Sequence, residues 1–134
     1  MRSIGYLWGM RFTMDTVSSL NFVRAYSASE VVVGERVVRS SLIVTANALI
    51  LDWPPCSVAE LNEDHLIPVF ALGAEVVLLG TGARQTFPAP RILAAAARAG
   101  VGLEVMDTPA ACRTYNVLLQ EERRVAAALM IGKV

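Results

Sequence analysis

Residues 74–106 read AEVVLLGTGARQTFPAPRILAAAARAGVGLEVM, and the order of elements in this stretch decides the fold. AEVVLLG (74–80) is a near-continuous apolar run, the pattern of a strand covered on both faces. PAPRILAAAARAG is a helix, with proline near its first turn and Gly100 at its end. VGLEVM (101–106) is a second strand. DTPAACRTYNVLLQEE (107–122) is a second helix, with Thr108 as N-cap and Pro109 at the first helical position. RRVAAALMI (123–131) is a final strand whose poor alternation predicts a central, buried place. Strand, helix, strand, helix, strand predicts an α/β sheet with right-handed crossovers wherever neighbours are parallel.

The first half has a different character. NFVRAY (21–26) alternates like a strand, EVVV (30–33) is a second, and RVVRSSLIVT (36–45) a third. Gly34 supplies the positive φ of a tight hairpin turn and suits a type II′ turn. Phe22 to Thr45 is therefore expected as an antiparallel meander that extends or covers the main sheet. Leu49 to Trp53 is a short strand stopped by Pro54 and Pro55. Ser57 can cap a short helix with Glu60 at capping-box spacing, and Asn62 a second one that runs to about Leu72. Pro68 is awkward inside it, and Gly73 ends it in the left-handed conformation. Residues 1–20 show no sustained period and are expected to be a flexible tail ahead of a single α/β domain over 21–134. The segment is a poor signal peptide, because its apolar core is short, broken by Gly5 and Gly9, and lacks a small-residue cleavage site. Met14 is an alternative start.

Composition narrows the function classes. The chain has 134 residues, zero formal net charge and 54% apolar residues, which suits one well-covered core. No basic stripe marks a nucleic-acid surface. No run reaches the roughly 18 apolar residues of a membrane span. Cys56 and Cys112 match no metal or redox spacing and are expected as buried thiols in a reducing, cytoplasmic setting. His65 is the single histidine, which rules out a multi-histidine metal site within one chain and reads as a surface or satisfied core residue.

One place can carry a site. Gly80, Thr81 and Gly82 form the turn out of the first α/β strand, and Arg84 follows. Ligands of open α/β sheets bind beyond the carboxyl ends of strands, and helix N-termini hold anions. Thr81 adds a hydroxyl and Arg84 a forked cation. Asp107 and Thr108 end the next strand, and parallel pairing would bring both turns together. A P-loop needs lysine and then Ser or Thr after the second glycine, where Ala83 and Arg84 stand. A dinucleotide fingerprint needs a third glycine at Gln85. Two readings remain: a small-anion site formed by Gly80, Thr81, Gly82, Arg84, Asp107 and Thr108, or a sharp turn in which glycine permits positive φ and close packing. Asp107 reads more as support for the helix N-terminus than as a base. No catalytic residue, cofactor or metal is assigned.

The segments VVLLGTGARQTFP and AGVGLEVMDTPAACRTYNVLLQEERRVAAALM, with YSASEVVVGERVVRSSLIV and Trp53 before them, resemble a known α/β family. It includes the mitochondrial NADH:ubiquinone oxidoreductase (complex I) assembly factor 3 and bacterial relatives. The matching positions are Gly80-Thr81-Gly82, Met106, Thr108, Ala111, Asn116, Leu118, Glu121, Arg123 and Val125, within a resemblance covering about Phe22 to Leu129. Residues 1–13 lie outside it. The resemblance implies a three-layer α/β/α fold with a mixed central sheet and an added N-terminal β-meander or hairpin. It implies no established activity, and it implies a binding or assembly role with a protein partner. Asn116, Glu121 and Arg123 are expected as a structural network, with Arg123 on Glu121 and Asn116 on backbone groups. The leading reading is a non-enzymatic interaction protein, and the alternative is a small-anion-binding protein or enzyme. Self-association through the meander edge is a third.

Overall fold

The computed structural model describes residues 2–7, 10–15 and 20–132. The strands are β1 (Arg2–Leu7), β2 (Met10–Asp15), β3 (Val23–Tyr26), β4 (Val31–Val33), β5 (Arg36–Val38), β6 (Leu42–Thr45), β7 (Ala48–Leu51), β8 (Val76–Gly80), β9 (Gly102–Met106) and β10 (Val125–Leu129). The helices are α1 (Ile67–Phe70), α2 (Pro90–Arg98) and α3 (Thr108–Gln120), with single 3-10 turns over Val58–Glu60 and Glu63–Leu66.

One mixed sheet of seven strands runs β1-β2-β7-β6-β10-β8-β9. Its β9, β8 and β10 are parallel neighbours, and the remaining pairs are antiparallel. The chain steps from β8 outward to β9, then back across β8 to β10. A right-handed crossover that reverses its direction must put its helix on the opposite face. The packing agrees: Ile92 and Ala96 of α2 join Val77 and Leu79 of β8, whereas Ala111, Tyr115 and Leu119 of α3 join Leu78 on the other side. The short helices and Trp53 share the α2 layer; β3-β4-β5, a separate three-stranded sheet, shares the α3 layer. The result is the expected three-layer α/β/α arrangement around a mixed sheet.

β10 lies between β6 and β8 and is buried throughout, as its unbroken apolar run predicts. Its Ala126, Ala127 and Ala128 are small, so large side chains fit against both faces. Tyr115 packs on the Ala127 side, and Trp53 on the Ala126 and Ala128 side.

Four expectations need correction. First, the chain is strand over 2–7 and 10–15, where a loose tail was expected; the remaining residues of that segment before Leu20 lie outside the described ones. MRFTMD alternates apolar and polar residues, the signature of a strand, and β2 adds to the edge of β7. Second, RVVRSSLIVT is two strands in two sheets. It breaks at Arg39–Ser41 because buried Ser41 is held from elsewhere: its hydroxyl accepts from Ile131 N–H at 3.0 Å and its carbonyl from Trp53 N–H at 2.9 Å. Third, Ser57 makes no side-chain cap; instead the Glu60 carboxylate accepts from Cys56 N–H at 3.3 Å. Fourth, Cys56 is only half-buried, although Cys112 is fully buried as expected.

Other local readings match. Gly34 has φ 60° and Glu35 stays out of the left-handed region, as a type II′ hairpin requires. Asn62 caps the turn that leads into α1, and its partner is His65. The Asn62 side chain accepts from His65 N–H at 3.3 Å, while His65 Nδ1 accepts from Asn62 N–H at 3.1 Å. The single histidine is thus a capping residue, its backbone carbonyl also taking the Trp53 indole N–H at 2.9 Å.

Helices α2 and α3 end alike but with different residues. After α2, Gly100 N–H bonds to Ala97 O and Val101 N–H to Ala96 O, with Gly100 at φ 71°. After α3, Glu122 N–H bonds to Leu119 O and Arg123 N–H to Leu118 O, with Glu122 at φ 61°. Both are Schellman ends, but the second holds a side-chain-bearing residue in the left-handed region, at a cost of about 1 kcal/mol. Glu122→Gly is therefore expected to raise the unfolding free energy by about 1 kcal/mol, read as a higher urea midpoint with unchanged slope.

Candidate functional site

Parallel pairing of β8 and β9 sets Gly80 against Met106, so the two turns singled out in the sequence are neighbours. Because α2 and α3 leave to opposite faces, the gap between these strand ends is the switch point at which open α/β sheets bind ligands. Five of the six candidate residues, Gly80, Thr81, Gly82, Asp107 and Thr108, meet here and are joined to one another or to adjacent backbone.

Thr108 ties the turns together. Its hydroxyl accepts from Gly82 N–H at 2.8 Å and donates to Met130 O at 2.8 Å, while its own N–H donates to Gly82 O at 2.8 Å. It is fully buried. The N-cap expected of Thr108 falls instead to Asp107, whose carboxylate accepts from Ala110 N–H at 2.8 Å. Thr108 is drawn away because a buried Gly82 N–H and Met130 C=O would otherwise lack partners. Asp107 therefore supports the helix N-terminus, as its position suggested.

Thr81 closes the loop from within. Its N–H donates to Met106 O at 2.9 Å, and its hydroxyl donates to Arg84 O at 2.5 Å and accepts from Thr86 N–H at 3.1 Å. Gly80 N–H and C=O belong to the sheet region, the carbonyl accepting from Met130 N–H at 2.8 Å. A Cβ at Gly80 would stand 3.0 Å from Thr108 Oγ1, 3.0 Å from Leu129 Cδ2 and 3.1 Å from the Thr108 Cα, so close strand–helix packing demands glycine there. Gly82 has φ 92° and open space around it, so its requirement is conformational.

The outward side of the loop is different. Arg84 is exposed, and its guanidinium makes no hydrogen bond or ion pair among the described residues. The Gln85 amide donates to Val105 O on β9 at 2.9 Å and holds the loop down. Phe87 projects with 67% of its surface exposed. No acidic residue occurs between Glu75 and Glu104, so Arg84, Arg91 and Arg98 make this stretch cationic, with Arg98 lying 3.7 Å from Glu63.

The second family cluster is structural. The Asn116 side chain accepts from Val23 N–H at 2.9 Å and donates to Val23 O at 2.8 Å, a two-point clamp on β3. Beside it the Tyr115 hydroxyl donates to Asn21 O at 2.7 Å, and Arg113 lies over the Tyr26 ring at 5.9 Å. The polar face of α3 thus meets the small sheet. Arg123 pairs with Glu75 at 2.9 Å rather than with Glu121 as expected, and that hydrogen bond holds the Glu75 carboxyl below its usual range. Burial pushes the Cys112 thiol up to about 12 and raises the Tyr115 hydroxyl, so neither ionises near neutrality.

Among the described residues no three His, Cys, Asp or Glu side chains gather to hold a metal, and no helix is long and apolar enough to cross a membrane. A cavity that sequence reasoning missed lies at the opposite end of the sheet, between the β6–β7 turn and the entries to β8 and β10. Its walls come from four separate stretches of the chain, so no local motif announces it.

The fold and the laced switch point define a three-layer α/β/α protein with an added three-stranded sheet. The chain belongs to the family described as "Protein of unknown function (DUF498/DUF598)", whose model matches residues 23–130. It is 34% identical over 112 residues to the Xenopus tropicalis NADH dehydrogenase [ubiquinone] 1 alpha subcomplex assembly factor 3, covering 81% of this chain and 60% of that protein. It is 33% identical over 73 residues to a Francisella tularensis protein named 13 kDa major membrane protein, covering 54% of this chain and 59% of the relative. The matches thus span about 60% of the length of these relatives. The solution structure of a Xanthomonas campestris protein superposes with a TM-score of 0.75 at 44% identity, covering 82% of this chain and 83% of the other.

Proposed function

We propose that this protein is a non-enzymatic binding module of the assembly-factor kind, and that it meets a protein partner through the outer side of the β8–α2 loop. The observation that carries the reading is the division of labour in that loop. Its inward polar groups hold the loop itself, while Arg84 and the 67% exposed Phe87 face outward from a rigid mount. An exposed aromatic beside an arginine on a stretch without acidic residues suits an acidic partner surface with an apolar pocket. Similarity to the assembly factor supports a partner-binding role. The two free cysteines fit a reducing, cytoplasmic compartment.

Affinity purification from native cells is expected to recover one partner in stoichiometric amount. Phe87→Ser and Arg84→Glu, both at exposed positions, should each weaken its capture about tenfold or more while leaving the melting temperature unchanged. Capture that is indifferent to both substitutions would reject this surface.

A second reading has one observation in its favour: at the switch point the exposed Arg84 guanidinium makes no hydrogen bond or ion pair among the described residues. On that reading, a small anion is bound by Gly80, Thr81, Gly82, Arg84, Asp107 and Thr108. Inorganic phosphate would then shift the amide resonances of Gly80, Gly82 and Thr108, and the absence of such shifts at millimolar phosphate removes it.

A further inference from the structure

The cavity at the amino ends of β8 and β10 has a volume of about 500 Å³, within the range of small-molecule pockets. It lies a full strand length from the Gly80 turn. Its lining is mainly apolar, built from Leu72, Leu119 and Val125 with Ala46 and Ala74 beside them, and Thr45 and Asn47 add polar groups. Three charged residues stand around it, Glu122, Arg123 and Arg124. Arg123 is bound to Glu75 at 2.9 Å. The Glu122 and Arg124 side chains are exposed and make no side-chain hydrogen bond or close ion pair among the described residues, although the Arg124 charge helps Arg123 to hold the Glu75 carboxyl low. Glu122 also occupies the left-handed position that Gly100 fills at the matching end of α2. A strained residue that glycine would serve better is a mark of a site that uses the side chain.

We propose that this cavity binds a small zwitterion with an apolar body, the chemistry of a free apolar amino acid. The apolar interior takes the side chain. Arg124 takes the carboxylate through its forked donors, and Glu122 takes the ammonium group. A fatty acid would leave Glu122 facing a like charge, and a simple amine would leave Arg124 facing one. Only a head carrying both signs satisfies the acid and the base together.

The test is a titration of isotope-labelled protein with leucine, following the amide resonances of Ala46, Ala74 and Val125. Isocaproate and isoamylamine serve as controls that keep the apolar body and one charge each. Leucine is expected to give saturable shifts with a dissociation constant of about 1 mM or below, and each control to bind about tenfold more weakly. Glu122→Gln should bring leucine down to the isocaproate level, and Arg124→Gln to the isoamylamine level. Both positions are exposed, so an unchanged melting temperature confirms that the variants are folded. Absence of saturable shifts with leucine overturns the proposal. So do controls that bind as well as leucine, or glutamine variants that bind leucine as the unsubstituted protein does. Because the residues lie at the other end of the sheet from Arg84 and Phe87, failure here leaves the partner-binding reading standing, and the reverse.

Discussion

Thr108→Val is expected to lower the unfolding free energy by about 3 kcal/mol, although it changes the side chain's shape very little. The hydroxyl accepts from Gly82 N–H and donates to Met130 O, both at 2.8 Å in a fully buried setting. Valine leaves both backbone groups without partners and without water, and each such loss costs about 1–3 kcal/mol. Thr108→Ser keeps the hydroxyl and removes one methyl, so it should cost only about 1 kcal/mol. Urea unfolding of the pair separates the two contributions. Equal destabilisation by valine and serine would mean that packing, not the bridge, is what Thr108 supplies.

The second large effect is at Asn116. Asn116→Leu removes both hydrogen bonds to Val23 and leaves that residue's N–H and C=O unpaired against an apolar side chain. A loss of about 2–3 kcal/mol is expected. The damage should also be local. Asn116 joins α3 to β3, and the rest of that sheet hangs on β3 through β4. Amide hydrogen exchange should therefore show β3–β5 losing protection first, with β6, β8 and β10 still protected. Uniform loss across both sheets would show that the small sheet folds as one unit with the large one.

Legibility in the sequence followed the range over which each feature is determined. β8, α2, β9, α3 and β10 were readable because covered strands give continuous apolar runs, and prolines and Gly100 mark the helix ends. The burial of β10 followed from the same pattern. β2 was missed, although Met10, Phe12 and Met14 alternate with Arg11, Thr13 and Asp15, because nearby Gly5 and Gly9 break up the pattern. The break between β5 and β6 was not readable, because Ser41 is held by Ile131 and Trp53, far away in sequence.

The candidate site divides in the same way. Its location at two adjacent strand ends was foreseen from topology. The role of Thr108 was not, because local spacing makes it an N-cap while its real partners are 22 and 26 residues distant. Arg123 likewise looked to nearby Glu121, yet its partner is Glu75, 48 residues away. The distant cavity had no local signal at all.

The Gln85 amide on Val105 O has a consequence for how these molecules behave when crowded. β9 ends the sheet, and alternate residues of a parallel edge strand point their N–H and C=O away from the neighbour. Gly102 N–H and Met106 O face inward, so Leu103 and Val105 face outward. With Val105 O already taken by Gln85, a passing strand finds only the two groups of Leu103 and the N–H of Val105. Gln85→Ala, which frees the Val105 carbonyl, is therefore expected to raise the concentration-dependent aggregation of the protein, read by light scattering.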